Sequence, residues 1–464
     1  MVSVVAFGVF FWRIDGASPW RDELVTLDMA SRSTGDLWRA LGNADLVHGL
    51  YYSVARGVVT AGGDLSALRG LSAAAMAATA GLLAVLGRQL GSTAVMIAAP
   101  LVLVVCPISS RYAQEARPYA LATFVATAGT LALVVACRRR HYGMWIGYAA
   151  CIVVLGLINI LALSVLLGHL AYVAWDRHAT RRWLASIGAA FLLVGPFAAL
   201  ATKQIGQVDW LSRPSGADLW EAISFGWTSV AGFLLLVAAV VVLAWGRSRR
   251  TATLAVTWAA APAVALWLVS QVHPLFDVRY LVVCIPGVAM TFALIADIRL
   301  PRQVARRQVG TVIALSVTAC LLVLGWSAQA SVRATDGHGE NVRAVASIIE
   351  KDALPGDAIL YQPNNLRILN RGFGPVTIAD PMLQESGAAS GTLTGTEISP
   401  SRMDVALQQH NRLWVVRRFR GPALADPGDL EKARILAACY AREGSTRAGP
   451  NFAVDLYVRQ SCKD

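Results

Sequence analysis

The sequence predicts an all-α polytopic membrane bundle of about eleven transmembrane helices, followed by a small α/β domain. Three observations carry that expectation. Hydrophobic residue types make up 56% of the 464 residues, charged types only 15%, whereas roughly a quarter of a soluble domain is charged. Apolar runs of helical length recur from the first residue to about residue 328, which excludes a single-span anchor. Beyond about residue 330 the chain turns to charges, glycines, prolines and alternating patterns, the texture of a folded polar domain.

Taken in order, the apolar runs fall near residues 1–12, 71–90, 92–108, 118–137, 143–158, 160–176, 183–201, 223–246, 252–270, 280–297 and 310–328. The first is about a dozen residues, short of the ~17 that cross a bilayer, so either the start lies upstream or the helix extends into the loop. It has no basic flank and no small-residue cleavage site before Trp12, which argues against a signal peptide. The block from Met144 to Trp175 is too long for one span and is split at Asn159.

Short cytoplasmic loops are rich in Lys and Arg. With the N-terminus inside, the inner loops hold Arg88, Arg138, Arg139, Arg140, Arg177, Arg181, Arg182, Arg247, Arg249, Arg250, Arg299, Arg302, Arg306 and Arg307. The short outer loops hold only Arg111, Arg117, Lys203, Arg213 and Arg279. The bias puts the N-terminus in the cytoplasm, and the loop 13–69 and the tail outside the plasma membrane. The expected domains are a transmembrane module over 1–330, including that loop, and an extracytoplasmic α/β domain over 331–464. The net charge of +12 would raise nucleic-acid binding in a soluble chain. Here the arginines follow the loops, and no basic run is interleaved with exposed rings, so no nucleic-acid partner is expected.

In the tail, Asn341 to Lys351 and Leu430 to Arg442 read as helices, Asp357 to Tyr361, Leu413 to Val416 and Phe452 to Val458 as strands, and Gly387 to Ser399 as a loop. Cys439 and Cys462 share this outer segment, so a disulfide between them is one expectation and two free thiols the other. Cys106, Cys137, Cys151, Cys284 and Cys320 fall in or beside spans and read as small core residues. No Walker or dinucleotide glycine pattern and no internal repeat is present.

Ionisable residues are costly in a bilayer and line functional cavities when present. Three outer loops concentrate them: Trp20-Arg21-Asp22-Glu23 with Asp45-Leu46-Val47-His48-Gly49-Leu50-Tyr51-Tyr52; Arg111-Tyr112-Ala113-Gln114-Glu115-Ala116-Arg117-Pro118-Tyr119; and His273-Pro274-Leu275-Phe276-Asp277-Val278-Arg279-Tyr280. Carboxylates facing guanidinium groups suit a reaction that deprotonates a hydroxyl while a phosphate departs. Each motif also has a plain structural reading. Asp22 and Glu23 suit the first turn of a helix beginning near Leu24, Arg111 could neutralise Glu115, and His48 and His273 could be ordinary hydrogen-bonders. Asp22, Glu23, Asp45 and His48 do not have a diagnostic metal spacing, so no metal and no cofactor is expected.

Together, Asp22-Glu23, Asp45 with His48 and Leu50-Tyr51-Tyr52, the string Gln114-Glu115-Ala116-Arg117-Pro118-Tyr119, and Arg279-Tyr280-Leu281 resemble the GT-C superfamily of polyprenyl-phosphate-sugar-dependent membrane glycosyltransferases. More narrowly they resemble its family 39-like branch, the actinobacterial mannosyltransferase type. The resemblance covers residues 1 to about 300. It implies an inverting transferase in which Asp22 is the base and Glu23 its neighbour. Arg117, Arg279 and Arg111 would hold the donor phosphate, and Asp45, His48, Tyr51, Tyr52, Glu115, Tyr119 and His273 would line the substrate site. The implied partners are a polyprenyl-phosphate sugar, by resemblance a mannose donor, and an envelope glycolipid, glycan or protein acceptor. One departure is Val47-His48-Gly49-Leu50-Tyr51-Tyr52, where relatives carry a His-Pro-Pro-Leu-Tyr-Tyr type of string, so this loop is expected to bend differently. The rival classes are a lipid or glycolipid transporter, which would show paired halves and mid-membrane polar residues, and a non-catalytic scaffold, which would leave the three loop motifs unexplained.

Overall fold

The computed structural model describes residues 1–139, 142–299, 306–373, 378–421 and 424–462. Arg140 and Arg302 of the basic inner set lie outside the described residues. In chain order the helices are α1 (Val2–Phe11), α2 (Arg21–Ser31), α3 (Thr34–Asn43), α4 (Gly49–Thr60), α5 (Leu65–Leu90), α6 (Thr93–Val105), α7 (Pro107–Ala113), α8 (Tyr119–Arg139), α9 (Tyr142–Ile158), α10 (Leu166–Val173), α11 (Arg177–Ala201), α12 (Gly216–Ile223), α13 (Ser229–Trp245), α14 (Arg249–Val269), α15 (Ile285–Leu294), α16 (Arg306–Val332), α17 (Val342–Asp352), α18 (Gly387–Ser390), α19 (Pro400–Leu407) and α20 (Pro427–Cys439). The strands are β1 (Ala358–Gln362), β2 (Leu383–Glu385), β3 (Thr396–Glu397), β4 (Arg412–Arg418), β5 (Tyr440–Ala448) and β6 (Phe452–Arg459).

The chain packs as two compact units, one of residues 1–14, 46–51 and 66–332, the other of residues 15–45, 52–65 and 333–464. Along the chain, the last change of unit falls between Val332 and Arg333. The loop 13–69 does not belong wholly to the first unit, however: most of it packs with the C-terminal residues, because Leu24 of α2 is buried among Val342, Val345 and Ile349.

Every expected apolar segment of the first unit is helical. Among the described residues, six helices are long and apolar enough to cross a membrane, or seven when α6 and α7, bent by 67° at Cys106, count as one broken span. The other four apolar helices, Val2–Phe11, Tyr142–Ile158, Ile160–Val173 and Ser229–Trp245, are shorter. The protein is therefore a multi-pass membrane protein whose directly supported span number is below the expected eleven. Asn159 is the physical cause of one break. Its side chain accepts from Ala162 N at 3.3 Å, so the chain leaves α9 and restarts as a 3₁₀ turn.

Without a hydrophobic drive between helices in lipid, small residues and satisfied polar groups hold the bundle together. Gly168 of α10 and Gly287 of α15 both lie against Trp258 of α14; a Cβ at Gly287 would stand 2.6 Å from Ala259 N. Trp258 in turn donates to Val283 O at 2.8 Å. Buried threonines such as Thr79, Thr123, Thr127 and Thr291 donate to their own helix one turn back, which removes the cost of a bare hydroxyl. His169 bridges Thr130 and Tyr148, both at 2.9 Å, and Trp183 donates to Tyr148 at 2.8 Å, so four helices share one closed polar network.

In the second unit the sheet order is β1-β4-β6-β5, with β1 and β4 parallel and the other pairs antiparallel. Alternate residues of β1 and β4 face two cores. Ile359, Tyr361, Trp414 and Val416 meet α17 and Leu24, whereas Ala358, Leu360, Leu413 and Val415 meet Met403, Leu407, Ile435 and Leu436. Burial on both faces explains why the central strands are continuously apolar. The expected helix to Arg442 ends at Cys439, and Tyr440 begins β5, whose polar residues hid it from a hydrophobicity reading. The Gly-rich stretch 387–399 is a loop that also holds α18 and β3. Cys439 and Cys462 form a disulfide.

The substitution Gly287→Val should overpack the α14–α15 contact by about 1–3 kcal/mol and lower the unfolding midpoint of the detergent-solubilised protein. An unchanged midpoint would contradict the close approach at Trp258.

Candidate functional site

The first unit gathers the arginine motifs. α7 starts with Pro107 at its first turn and ends at Ala113, and the chain then turns through Gln114 to Pro118 into α8. Gln114 fixes this turn by donating from Nε2 to Phe10 O at 2.9 Å and Trp12 O at 2.8 Å, while Ser72 Oγ donates to Glu115 O at 2.6 Å. Glu115 is fully buried and accepts from Arg111 Nε at 2.8 Å. Arg111 is thus neutralised by Glu115, the plain structural reading of that pair.

Arg117, one turn further, is buried and contacts His48 Nε2 through Nη2 at 3.2 Å. Arginine has no acceptor atom, so His48 Nε2 is the acceptor there. Tyr119 stands edge-on to Tyr112 at 5.2 Å and to Tyr280 at 6.4 Å, which brings the second and third loops side by side. Arg279 is oriented by its own loop: its backbone N donates to Asp277 Oδ1 at 3.0 Å, its Nη2 to Oδ2 at 2.9 Å, and its guanidinium lies 5.4 Å from the Trp210 ring.

Next to these groups is a mostly apolar cavity of about 230 Å³, lined by His48 and Tyr280 together with Val47, Leu161, Ile205 and Leu275. Gln204 on its wall accepts from Leu46 N at 2.9 Å, holding the first-loop segment in place. Tyr51 is buried on α4. His273 lies apart, exposed on the turn after α14.

The second unit carries the acids. Asp22 and Glu23 occupy the first turn of α2, where the helix N-terminus favours negative charge. The two are not equivalent. Asp22 is half-exposed, whereas Glu23 is buried with Oε2 3.6 Å from His338 Nδ1. The segment after α16 cradles this turn. Glu340 accepts from Arg21 N at 2.9 Å and Arg21 Nε at 2.6 Å, Thr335 O accepts from Ser18 N at 2.7 Å, and Ser18 Oγ accepts from Arg343 N at 3.1 Å. Further along α2, Asp28 pairs with Arg32 at 2.7 Å and Arg371 at 2.5 Å.

Asp45 adopts a left-handed backbone (φ 56°) and accepts from Tyr52 OH at 2.8 Å. That bond fixes the turn entering α4 and gives both residues a structural role. Trp210, His338 and Glu340 are absent from the motif reading. The only sequence signal for the last two is a polar string, His338-Gly339-Glu340, directly after an apolar helix. Among the described residues, no three His, Cys, Asp or Glu side chains are grouped to hold a metal ion.

No protein-family model and no curated protein matches the sequence. Among solved structures, the chain is similar to ArnT from Cupriavidus metallidurans in its crystal structure bound to undecaprenyl phosphate. The TM-score is 0.60 at 14% identity, over 97% of this chain and 96% of that one. The apo crystal structure of the same protein gives 0.58 at 14% over the same shares. The mycobacterial arabinofuranosyltransferase AftD, seen by cryo-electron microscopy, aligns with all of this chain and 42% of its own at 15% identity and a TM-score of 0.48. At 14% identity, the likeness to ArnT shows a shared fold over nearly the whole of both chains.

If Glu340 holds the first turn of α2, Glu340→Ala should speed amide hydrogen exchange in residues 18–24 by about tenfold, the loss of a charge-assisted bond of roughly 1.5 kcal/mol. Unchanged exchange there would contradict the cradle.

Proposed function

We propose that this protein is a membrane glycosyltransferase that moves a sugar, mannose by family resemblance, from a polyprenyl phosphate to a hydroxyl of an envelope glycolipid, glycan or protein. The observation that carries the reading is the oriented, buried Arg117 beside an apolar cavity, in a chain with the fold of a protein whose crystal structure holds undecaprenyl phosphate. The sequence motifs point the same way. An isoprenyl chain matches the apolar wall, and a guanidinium matches the phosphate at its head.

In this reading Asp22 removes the proton of the acceptor hydroxyl. The acceptor oxygen attacks the anomeric carbon as the bond to the phosphate oxygen breaks, so the sugar inverts and polyprenyl phosphate leaves with the electron pair. Arg117 and Arg279 stabilise the charge that grows on that phosphate. Half-exposure suits Asp22 to this task, since a base must reach its substrate, whereas buried Glu23 positions the turn through His338. Arg111 acts through Glu115 by holding the loop that carries Arg117. The site lies on the extracytoplasmic side, with the N-terminus in the cytoplasm and about eleven helices crossing. The Cys439–Cys462 disulfide supports an oxidising location for the second unit.

With purified protein in lipid and a radiolabelled polyprenyl-phosphate mannose, Asp22→Asn should lower transfer to envelope glycolipids by about 10²–10⁴ with the fold retained. Arg117→Gln should lower it by about 10²–10³. A folded Asp22→Asn variant with full activity would overturn the assignment of the base. Donor binding and movement across vesicles without any transfer would favour a transporter instead.

A further inference from the structure

The second unit contains a cavity that the transfer chemistry does not use. It is about 300 Å³ in volume and sits at the carboxyl ends of the parallel strands β1 and β4, beside the N-terminus of α20. In open α/β sheets that edge is where ligands bind. Its polar lining is Gln362, Arg417, Arg418, Asp426 and Asp429, with Pro363 as an apolar plate.

Two of the charges there are ion-paired, one is bonded to backbone N–H groups, and one has neither. Arg417 pairs with Asp455 at 2.7 Å, and Asp429 with Lys432 at 2.6 Å. Asp426 Oδ1 accepts from Gly428 N at 2.8 Å and Asp429 N at 3.3 Å, capping α20. Arg418, half-buried at the end of β4, has no hydrogen bond or ion pair on its guanidinium among the described residues. Its charge is disfavoured: burial lowers its pKa below the usual arginine value, Arg21 lowers it further, and Glu340 offsets this in part. Glu340 is itself bound to Arg21 at 2.6 Å. An unneutralised, partly desolvated cation in a cavity is the arrangement that an incoming anion stabilises most.

We propose that this cavity is an anion-binding subsite that takes a phosphate or carboxylate group carried on a sugar, with Arg418 as its counter-charge. The anion pairs with the Arg418 guanidinium. Asp426 Oδ2 and Arg417 Nη1, which the internal bonds leave available, accept from and donate to sugar hydroxyls. A volume of this size lies at the small end of ligand pockets and suits a single charged saccharide unit, such as the anionic unit of an envelope glycan. The inference goes beyond glycosyl transfer and does not depend on Asp22 being the base.

The test is isothermal titration of the full chain in lipid nanodiscs with glucose 6-phosphate and glucuronate, against glucose and inorganic phosphate. The charged sugars should bind, and Arg418→Gln should weaken them by about tenfold or more, as expected for loss of a charge-assisted pair. Arg418→Lys, which keeps the charge but loses the planar fork, should weaken binding less than Arg418→Gln does. Asp22→Asn and Arg117→Gln should leave the binding unchanged, which separates this site from the proposed transfer site. Unaltered affinity in Arg418→Gln, equal binding of glucose, or no binding of either charged sugar would overturn the proposal. Inorganic phosphate binding as tightly as glucose 6-phosphate would overturn it too, by making this a free-anion site.

Discussion

A bilayer interior offers no water, so each buried polar group must find its partner within the protein. Much of this structure follows from that constraint. Threonine hydroxyls fold back on their own helices, His169 bridges Thr130 and Tyr148, and Trp258 finds a carbonyl on the next element. Charges are displaced to helix ends and loops, where Arg138 meets Gln89 at 2.7 Å and Arg250 meets Tyr172 O at 2.9 Å. The same displacement gathers the arginines of the opposite loops: Arg117 is buried with His48 accepting from it, beside the turn that Gln114 locks.

Each compact unit orders its own charged groups. In the membrane unit Arg117 contacts His48 on the wall of an apolar cavity and Arg279 is held by Asp277; in the second unit Asp22 and Glu23 occupy the first turn of α2. Glu23 and Asp22 are neighbours in sequence, yet one faces His338 in a buried pair and the other remains reachable. That asymmetry is a property of packing, since Leu24 anchors α2 in the core formed with Val342 and Val345 and so fixes which way the turn faces.

Legibility in the sequence followed the strength of each physical signal. Apolar runs of helical length all fall on helices of the membrane unit and Asn159 marked a break, because hydropathy and capping are local, whereas the short helices α7 and α12 lay in stretches read as loops. The α/β tail was legible at β1, β4 and α17 for the same reason. β5 was not, since its exposed edge residues carry no alternation, and the packing of α2 against the tail was not, since a single buried Leu24 is no pattern. Among site residues, His48 lines the apolar cavity and Arg117 contacts it, while Arg279 is held by Asp277 next to Tyr280 on the cavity wall. Arg111 is taken up by Glu115, Asp45 and Tyr52 bond to each other, and His273 is on an exposed turn. His338, Glu340 and Trp210 act through contacts made by distant segments, which no local reading of a single chain can supply.

The central claim is that Asp22 is the base of a transfer from polyprenyl phosphate. It is tested most directly by single-turnover transfer from a polyprenyl-phosphate sugar, measured against pH for the wild type, Asp22→Asn and Asp22→Glu. If the account holds, the chemical step nearly vanishes in Asp22→Asn, returns in part with Asp22→Glu, and donor affinity stays the same in all three. A chemical step of wild-type rate in Asp22→Asn, with donor bound normally, would contradict it and send the search for the base elsewhere in the chain.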